Sequence, residues 1–359
     1  MRKLWSLSIS AALAVSLLTG CGSSSKPAES TAAPTQAQTE TKAESGEKAE
    51  SQASAGSSEL KSYTFKLGYH TVEDSVRGEM ANEFKRIVEE KSGGRLKVEL
   101  YPSETLGNEQ EMIEAVKIGA VDFSLPGGGA MSNVDPVFGS ISLPFFMSGY
   151  DAFHEQADGE LGEYWGKVAE ENGYKLLSIG DLGFAQITNN KRPINTVEDL
   201  KGLKMRSPNE QVLINSFQNL GAAVTTLPFT EIYMALSQGV VDGQFNPLDA
   251  IYQTKFHEVQ DYLAIVNIFC YNINFITNKA LWDGLDPEAQ DIIQEAADAA
   301  KEISREYYTS ADTEYLELVT PHFKEITYPE LEEFRKAVQP VYDEFAQSVP
   351  ADYAEKFLK

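Results

Sequence analysis

Apolar positions along the chain switch between two periods. Tyr63, Phe65, Leu67 and Tyr69 alternate, which is the spacing of a strand with one buried face. Val76, Met80, Phe84, Ile87 and Val88 share one helical face, and Gly93-Gly94 closes that helix. Leu96, Val98 and Leu100 alternate again. Asn108 begins a helix that runs through Met112, Ile113 and Val116 to Gly119. Val121 to Leu125 reads as a third strand, ending at Pro126-Gly127-Gly128-Gly129. Strand, helix, strand, helix, strand predicts an α/β fold with a mainly parallel sheet and helices on both faces. The three glycines permit either a tight turn or a close approach of backbone N–H groups to a ligand.

A helix near 150–172 is followed by a long extended segment over 175–190, the shape of a crossing between two domains. The pattern then repeats: a helix over 209–220, a strand at Ala223–Thr226, a helix capped by Thr230, and a strand over 240–244. Ala115, Gly119, Val121 and Asp122 have the same spacing as Ala235, Gly239, Val241 and Asp242. That echo is either chance or the mark of two domains of one architecture facing a shared cleft. A second extended segment over 262–277 is the natural return crossing. Asp286-Pro287 then caps a helix expected to run to about Leu318, about 50 Å long and able to brace both domains. A strand near 323–327 and a helix over 329–347 finish the chain.

The stretch with most chemical content is Asp199 to Pro208. Thr196 to Asp199 has capping-box spacing, and Leu203 to Arg206 reads as a short strand stopped by Ser207-Pro208. Asn209 is placed to cap the next helix. Arg206 therefore ends a strand just before a helix, where open α/β sheets hold their ligands. Its guanidinium fork fits a carboxylate bidentately.

The N-terminus changes the picture. Arg2-Lys3, an apolar run to Leu18 and then Leu18-Thr19-Gly20-Cys21 resemble a bacterial lipoprotein signal, with Cys21 as the lipidated residue. Residues 22–59 contain no Leu, Ile, Val, Met or aromatic side chain and read as a disordered tether. The other cysteine, Cys270, sits in an apolar run and is expected to be a buried free thiol. Net charge is −24, which argues against nucleic-acid binding. The four histidines have no metal-ligand spacing, and the chain has no nucleophile elbow, phosphate loop or dinucleotide fingerprint. No catalytic residue, metal or cofactor is expected.

Thr188 to Ile194, Asp199 to Arg206, Pro228 to Tyr233 and Gly239 to Pro247 resemble the solute-binding subunit of TRAP (tripartite ATP-independent periplasmic) transporters, DctP type. Ser92 to Arg95, Leu106-Gly107 and Leu143-Pro144-Phe145 add to the likeness, which covers 62–350. The resemblance implies a two-domain, periplasmic-binding-protein-like α/β fold with crossing hinge strands and a long domain-spanning helix. It implies domain I over 60–182 plus about 271–310, and domain II over 183–270 plus about 311–359. Arg206 matches the family's carboxylate-binding arginine and Asn246 the asparagine beside it. Phe229 and Asn209 match positions at the ligand, and His70, Glu109 and Gly127 match more variable positions of the first domain. Many members carry an arginine where this chain has Ala185, so a second cationic clamp is expected to be missing and a dicarboxylate is disfavoured. Phe245 replaces a common glutamate and is expected to add an apolar wall.

The expectation is an extracytoplasmic, lipid-anchored monomer. It would bind a small organic acid, with a uronate or aldonate favoured, and deliver it to the TRAP membrane subunits. The alternative is an ABC-type or sensor-linked binding lipoprotein with the same ligand chemistry.

Overall fold

The computed structural model describes residues 60–358; Cys21, the signal and the tether lie outside them. The first half follows the predicted order: β1 (Tyr63–Gly68), α1 (Val76–Lys91), β2 (Leu96–Tyr101), α2 (Glu109–Lys117) and β3 (Phe123–Ser124). The predicted stripe of α1 is buried, and the Ser75 side chain accepts from Gly78 N at its start. Asn108 and Glu111 form a reciprocal capping box on α2. The single helix expected over 150–172 is two, α3 (Tyr150–Ala157) and α4 (Glu160–Glu171), parted at Asp158-Gly159.

The crossing segment is β4 (Tyr174–Phe184) and β5 (Gln186–Asn189), with Ala185 alone between them. Then come β6 (Lys204–Ser207), α5 (Gln211–Asn219), β7 (Ala223–Thr226), α6 (Ile232–Ser237), β8 (Gly243–Asn246), α7 (Leu248–Gln253), β9 (Tyr262–Ala264) and β10 (Cys270–Asn278). The strands form two sheets, ordered β2-β1-β3-β10-β4 and β11-β9-β5-β8-β6-β7, where β11 is Glu325–Thr327. β4 and β5 thus belong to different sheets, as do β9 and β10, so the chain crosses where the extended segments predicted. Both sheets are mixed rather than mainly parallel. The β1–β2, β1–β3, β6–β7 and β6–β8 ladders are parallel, but the crossing strands β10 and β5 run antiparallel to their neighbours.

The sequence echo is a structural one. β1-α1-β2-α2-β3 and β6-α5-β7-α6-β8 each place their first strand between the other two. Gly119 and Gly239 take left-handed φ of 73° and 69°, which closes the helix before the third strand. The amides of the next two residues return to Ala115 O in one copy and to Ala235 O in the other. Asp122 accepts from Lys66 N at 2.7 Å, and Asp242 accepts from Lys204 N at 3.0 Å. Each aspartate therefore pins the start of its strand to the central one.

The long helix predicted over 286–318 is broken. After α8 (Lys279–Gly284), α9 spans Pro287–Tyr308 and α10 spans Ala311–Val319. Ser310 takes φ of −125°, outside the helical range, and Thr309 Oγ1 turns back to Glu306 O at 2.6 Å. α9 packs on α1 and β4, and α10 packs on α7, so the pair together spans both sheets. The last predicted helix is also divided, into α11 (Glu332–Ala337) and α12 (Gln339–Ser348), with Pro340 in the first turn of α12. A further helix, α13 (Ala351–Phe357), follows. Cys270 is buried and has no disulfide partner among the described residues, as expected. Among the described residues, no helix is long and apolar enough to cross a membrane.

Candidate functional site

A cavity of about 310 Å³ lies where the strand ends and helix starts of the two halves meet. All seven anticipated residues line it: His70, Glu109 and Gly127 from the first half, and Arg206, Asn209, Phe229 and Asn246 from the second. The reason is topological. His70 follows β1, Glu109 opens α2, Gly127 follows β3, Arg206 is near the end of β6, Phe229 follows β7 and Asn246 ends β8.

Arg206 is buried, and its Nε and Nη2 both donate to Leu227 O, at 3.0 and 2.8 Å. Three of its five N–H groups remain unspent. Burial lowers its pKa to about 10, which still leaves it charged at neutral pH. Asn246 donates to Gln244 Oε1. Gln244 in turn donates to Thr188 Oγ1 at 2.9 Å, and Thr188 donates to Gln260 Oε1 at 2.9 Å. This chain of polar side chains orients the Asn246 amide beside the cavity and leaves it a second N–H.

The first-half residues are coupled to one another. Glu109 Oε1 accepts from Gly127 N at 2.7 Å, so that N–H is already engaged by a carboxylate. His70 Nδ1 lies 3.3 Å from the same Oε1 without hydrogen-bond alignment. Burial, then Arg77 and Arg206, hold the imidazole well below its usual pKa, so it is neutral. The glycine run is not a left-handed turn. A Cβ on Gly128 would fall 1.8 Å from Asn272 Oδ1, and one on Gly129 would fall 2.1 Å from Glu210 Oε2. These glycines make room for side chains.

Three sequence expectations need correction. Asn209 does not cap α5; Glu210 holds that position, and its side chain makes no capping bond. Phe245 is no cavity wall. Successive strand residues face opposite ways, so with Asn246 toward the cavity Phe245 stacks on Phe217 in the core, ring centroids 4.3 Å apart. Ala185 is buried in the core, but the cavity does not lack a second cation: Arg77 lines it.

Arg77, Glu210 and Asp249 were missed by sequence reasoning. Arg77 had a signal. It sits in the first turn of α1 on the buried face, where the helix dipole disfavours a cation. Its Nε donates to Leu125 O at 2.8 Å. Neither Arg77 nor Arg206 forms an ion pair with a carboxylate among the described residues. Burial raises the Glu210 carboxyl to about 8, so it is protonated at neutral pH, and it accepts from Ser142 Oγ at 2.9 Å. Burial likewise raises Asp249 to about 6.

The two walls touch at the rim. Thr230 Oγ1 bonds to the Glu104 carboxylate, His70 meets Phe229 edge-on at 5.4 Å, and Gln253 donates to Asp74 O at 3.1 Å. The described conformation therefore brings the two halves into contact at the rim of the cavity.

Comparison with known proteins agrees with this geometry. Residues 67–348 match the family DctP, described as bacterial extracellular solute-binding protein, family 7. The 2,3-diketo-L-gulonate-binding periplasmic protein YiaO of Escherichia coli (strain K12) is 32% identical over 70% of this chain and 77% of its own length. The C4-dicarboxylate-binding protein DctB of Bacillus subtilis (strain 168) is 32% identical over 78% of this chain and 81% of its own. A TRAP periplasmic solute-binding protein from Sulfitobacter sp. NAS-14.1, solved with bound β-D-galacturonate, superposes with a TM-score of 0.80 at 28% identity, covering 82% of this chain and 99% of that one. The residues matched by the family include most of both sheets and all seven anticipated cavity residues, and this chain belongs to the DctP family of bacterial extracellular solute-binding proteins.

Proposed function

We propose that this chain captures a small organic acid outside the cytoplasm and delivers it to a TRAP permease, without chemical change to the acid. The observation that carries the reading is a pair of buried arginines lining one cavity, neither in an ion pair with a carboxylate among the described residues. A buried guanidinium without a counter-ion is costly, so the site is complementary to an anion. Arg206 and Asn246 hold the carboxylate, with Phe229 and Asn209 beside it and His70, Glu109 and Gly127 on the facing wall. A sugar acid is favoured over a dicarboxylate. The relatives named for diketogulonate and solved with galacturonate support that preference, as do the carboxyl groups in the walls, which suit hydroxyl donors.

Domain I takes 60–182 plus about 271–310, domain II takes the rest of the folded chain, and the crossings act as the hinge. Because both walls contact the solute, binding favours the closed arrangement. Solution scattering is expected to show a smaller radius of gyration when saturating solute is added to solute-free monomer. An unchanged radius argues for a rigid site.

The chain is anchored by lipid at Cys21, with 22–59 as the tether. Two acyl chains hold a protein stably, since each buried CH₂ contributes about 0.8 kcal/mol. Cys21→Ala is expected to leave the protein in the soluble fraction. Retention on the membrane contradicts the anchor.

A further inference from the structure

We propose that Arg77 is a second ligand-contacting residue, which holds an uncharged oxygen of the acid whose carboxylate lies on Arg206. The proposal rests on the reading of the cavity as an organic-acid site, and adds what the far end of that acid must carry.

Arg77 and Arg206 come from different halves of the fold. Arg77 stands at the start of α1, beside the first sheet, and Arg206 is in β6 of the second. Each is held by a backbone carbonyl rather than a carboxylate, Leu125 O for Arg77 and Leu227 O for Arg206. The Nε bond fixes the Arg77 plane and leaves both terminal nitrogens, with four N–H groups, unspent. Gly127 lies beside that fork, since a Cβ there would be in ordinary contact with Nη2, at 3.6 Å. The same anchoring by one carbonyl, on opposite walls of one cavity, makes the two arginines a pair that grips a ligand from both ends.

Charge decides what the second end is. Glu104, Glu109, Glu210 and Asp249 also line the cavity. Burial raises the pKa of each of these carboxyls, so the site does not readily take up further negative charge away from its arginines. The acid on Arg206 adds one negative charge, and a second carboxylate at Arg77 would add another beside these carboxyl groups, where burial already disfavours negative charge. A hydroxyl or carbonyl oxygen accepts from Arg77 without that cost. The carboxylates then have their own use: Asp249 Oδ1 and Glu104 Oε1 are buried with no hydrogen-bond partner among the described residues, so each is an acceptor waiting for a donor. A hydroxyl that accepts from Arg77 has a proton to give them. The ligand class is therefore a monocarboxylate bearing hydroxyl groups beyond the carbon next to its acid.

The test compares a long and a short acid on the folded chain by calorimetry. The long probe is whichever of D-galacturonate, D-glucuronate, D-galactonate and 2,3-diketo-L-gulonate binds wild type most tightly. The short probe is glycolate, measured by competition, which has the carboxylate and its neighbouring hydroxyl only. Arg77→Gln is expected to weaken the long acid by about tenfold to a hundredfold, the range for a hydrogen bond to a charged group. Glycolate should change by less than about twofold on the same grounds, because it does not reach Arg77. Arg77→Lys should recover part of the loss, and Arg206→Gln should weaken both acids. If Arg77→Gln does not fold, Arg77→Lys carries the same comparison, with a smaller selective loss of the long acid. Equal weakening of both acids, or an unchanged long acid, overturns the role of Arg77 while the organic-acid reading stands. Failure of all four long acids to bind wild type overturns the sugar-acid reading and this proposal with it.

Discussion

Arg206→Ala is expected to weaken binding of the cognate acid by tens to thousands of fold, with the fold intact. Removing one side of a buried charge pair typically costs about 2–5 kcal/mol, which converts to that range. The loss falls on affinity rather than stability because the solute-free guanidinium has no carboxylate partner to lose. Its two protein bonds both go to Leu227 O, and that carbonyl is the group left unsatisfied. Arg206→Lys keeps the charge but loses the planar fork, so it should weaken binding substantially as well. Arg77 remains in either variant, and residual binding should reflect it. A folded Arg206→Ala protein that binds the acid within a few fold of wild type makes the arginine structural.

Trp165→Ala is expected to do the opposite: a large loss of stability with affinity within a few fold of wild type. Trp165 on α4 is fully buried, and its ring lies 5.9 Å from Phe138. Its Nε1 donates to Tyr353 Oη at 3.2 Å, and Tyr353 also bonds Ser140 Oγ at 2.7 Å and Val137 O at 3.1 Å. The indole therefore packs a helix of the first half against the last helix of the chain, away from the cavity. Truncating a buried Trp costs about 3–5 kcal/mol, a large part of the roughly 5–15 kcal/mol that holds a typical protein folded. Denaturant titration should show the midpoint fall with little change in slope. A loss below about 1 kcal/mol would mean the site collapses to fill the void. Together the two variants separate what folds the chain from what binds the solute.

Much of this was legible because it depends on local pattern. The α1 stripe, the crossings and the paired Gly–Val–Asp joints are written in short-range spacing, and the structure places them as that spacing requires. The place of Arg206 at the cavity was legible because open α/β sheets hold their ligands at strand ends before helices. What failed depended on tertiary context. The break at Ser310 is a single residue in an otherwise helical stretch. Asn209 is a good capping residue by type, yet the chain enters α5 one residue later. Phe245 was misplaced because only the register of β8 says which of two neighbours faces the cavity. Arg77 was passed over because a helix stripe hides one cation among apolar neighbours, and its position in the first turn was the clue.

The most direct test of the account is calorimetric titration of wild type and Arg206→Ala with a sugar acid and its uncharged counterpart, D-galacturonate against D-galactose for example. The account predicts that wild type binds the acid and not the neutral sugar, and that Arg206→Ala binds neither well. Equal affinity of wild type for the acid and the neutral sugar would contradict it.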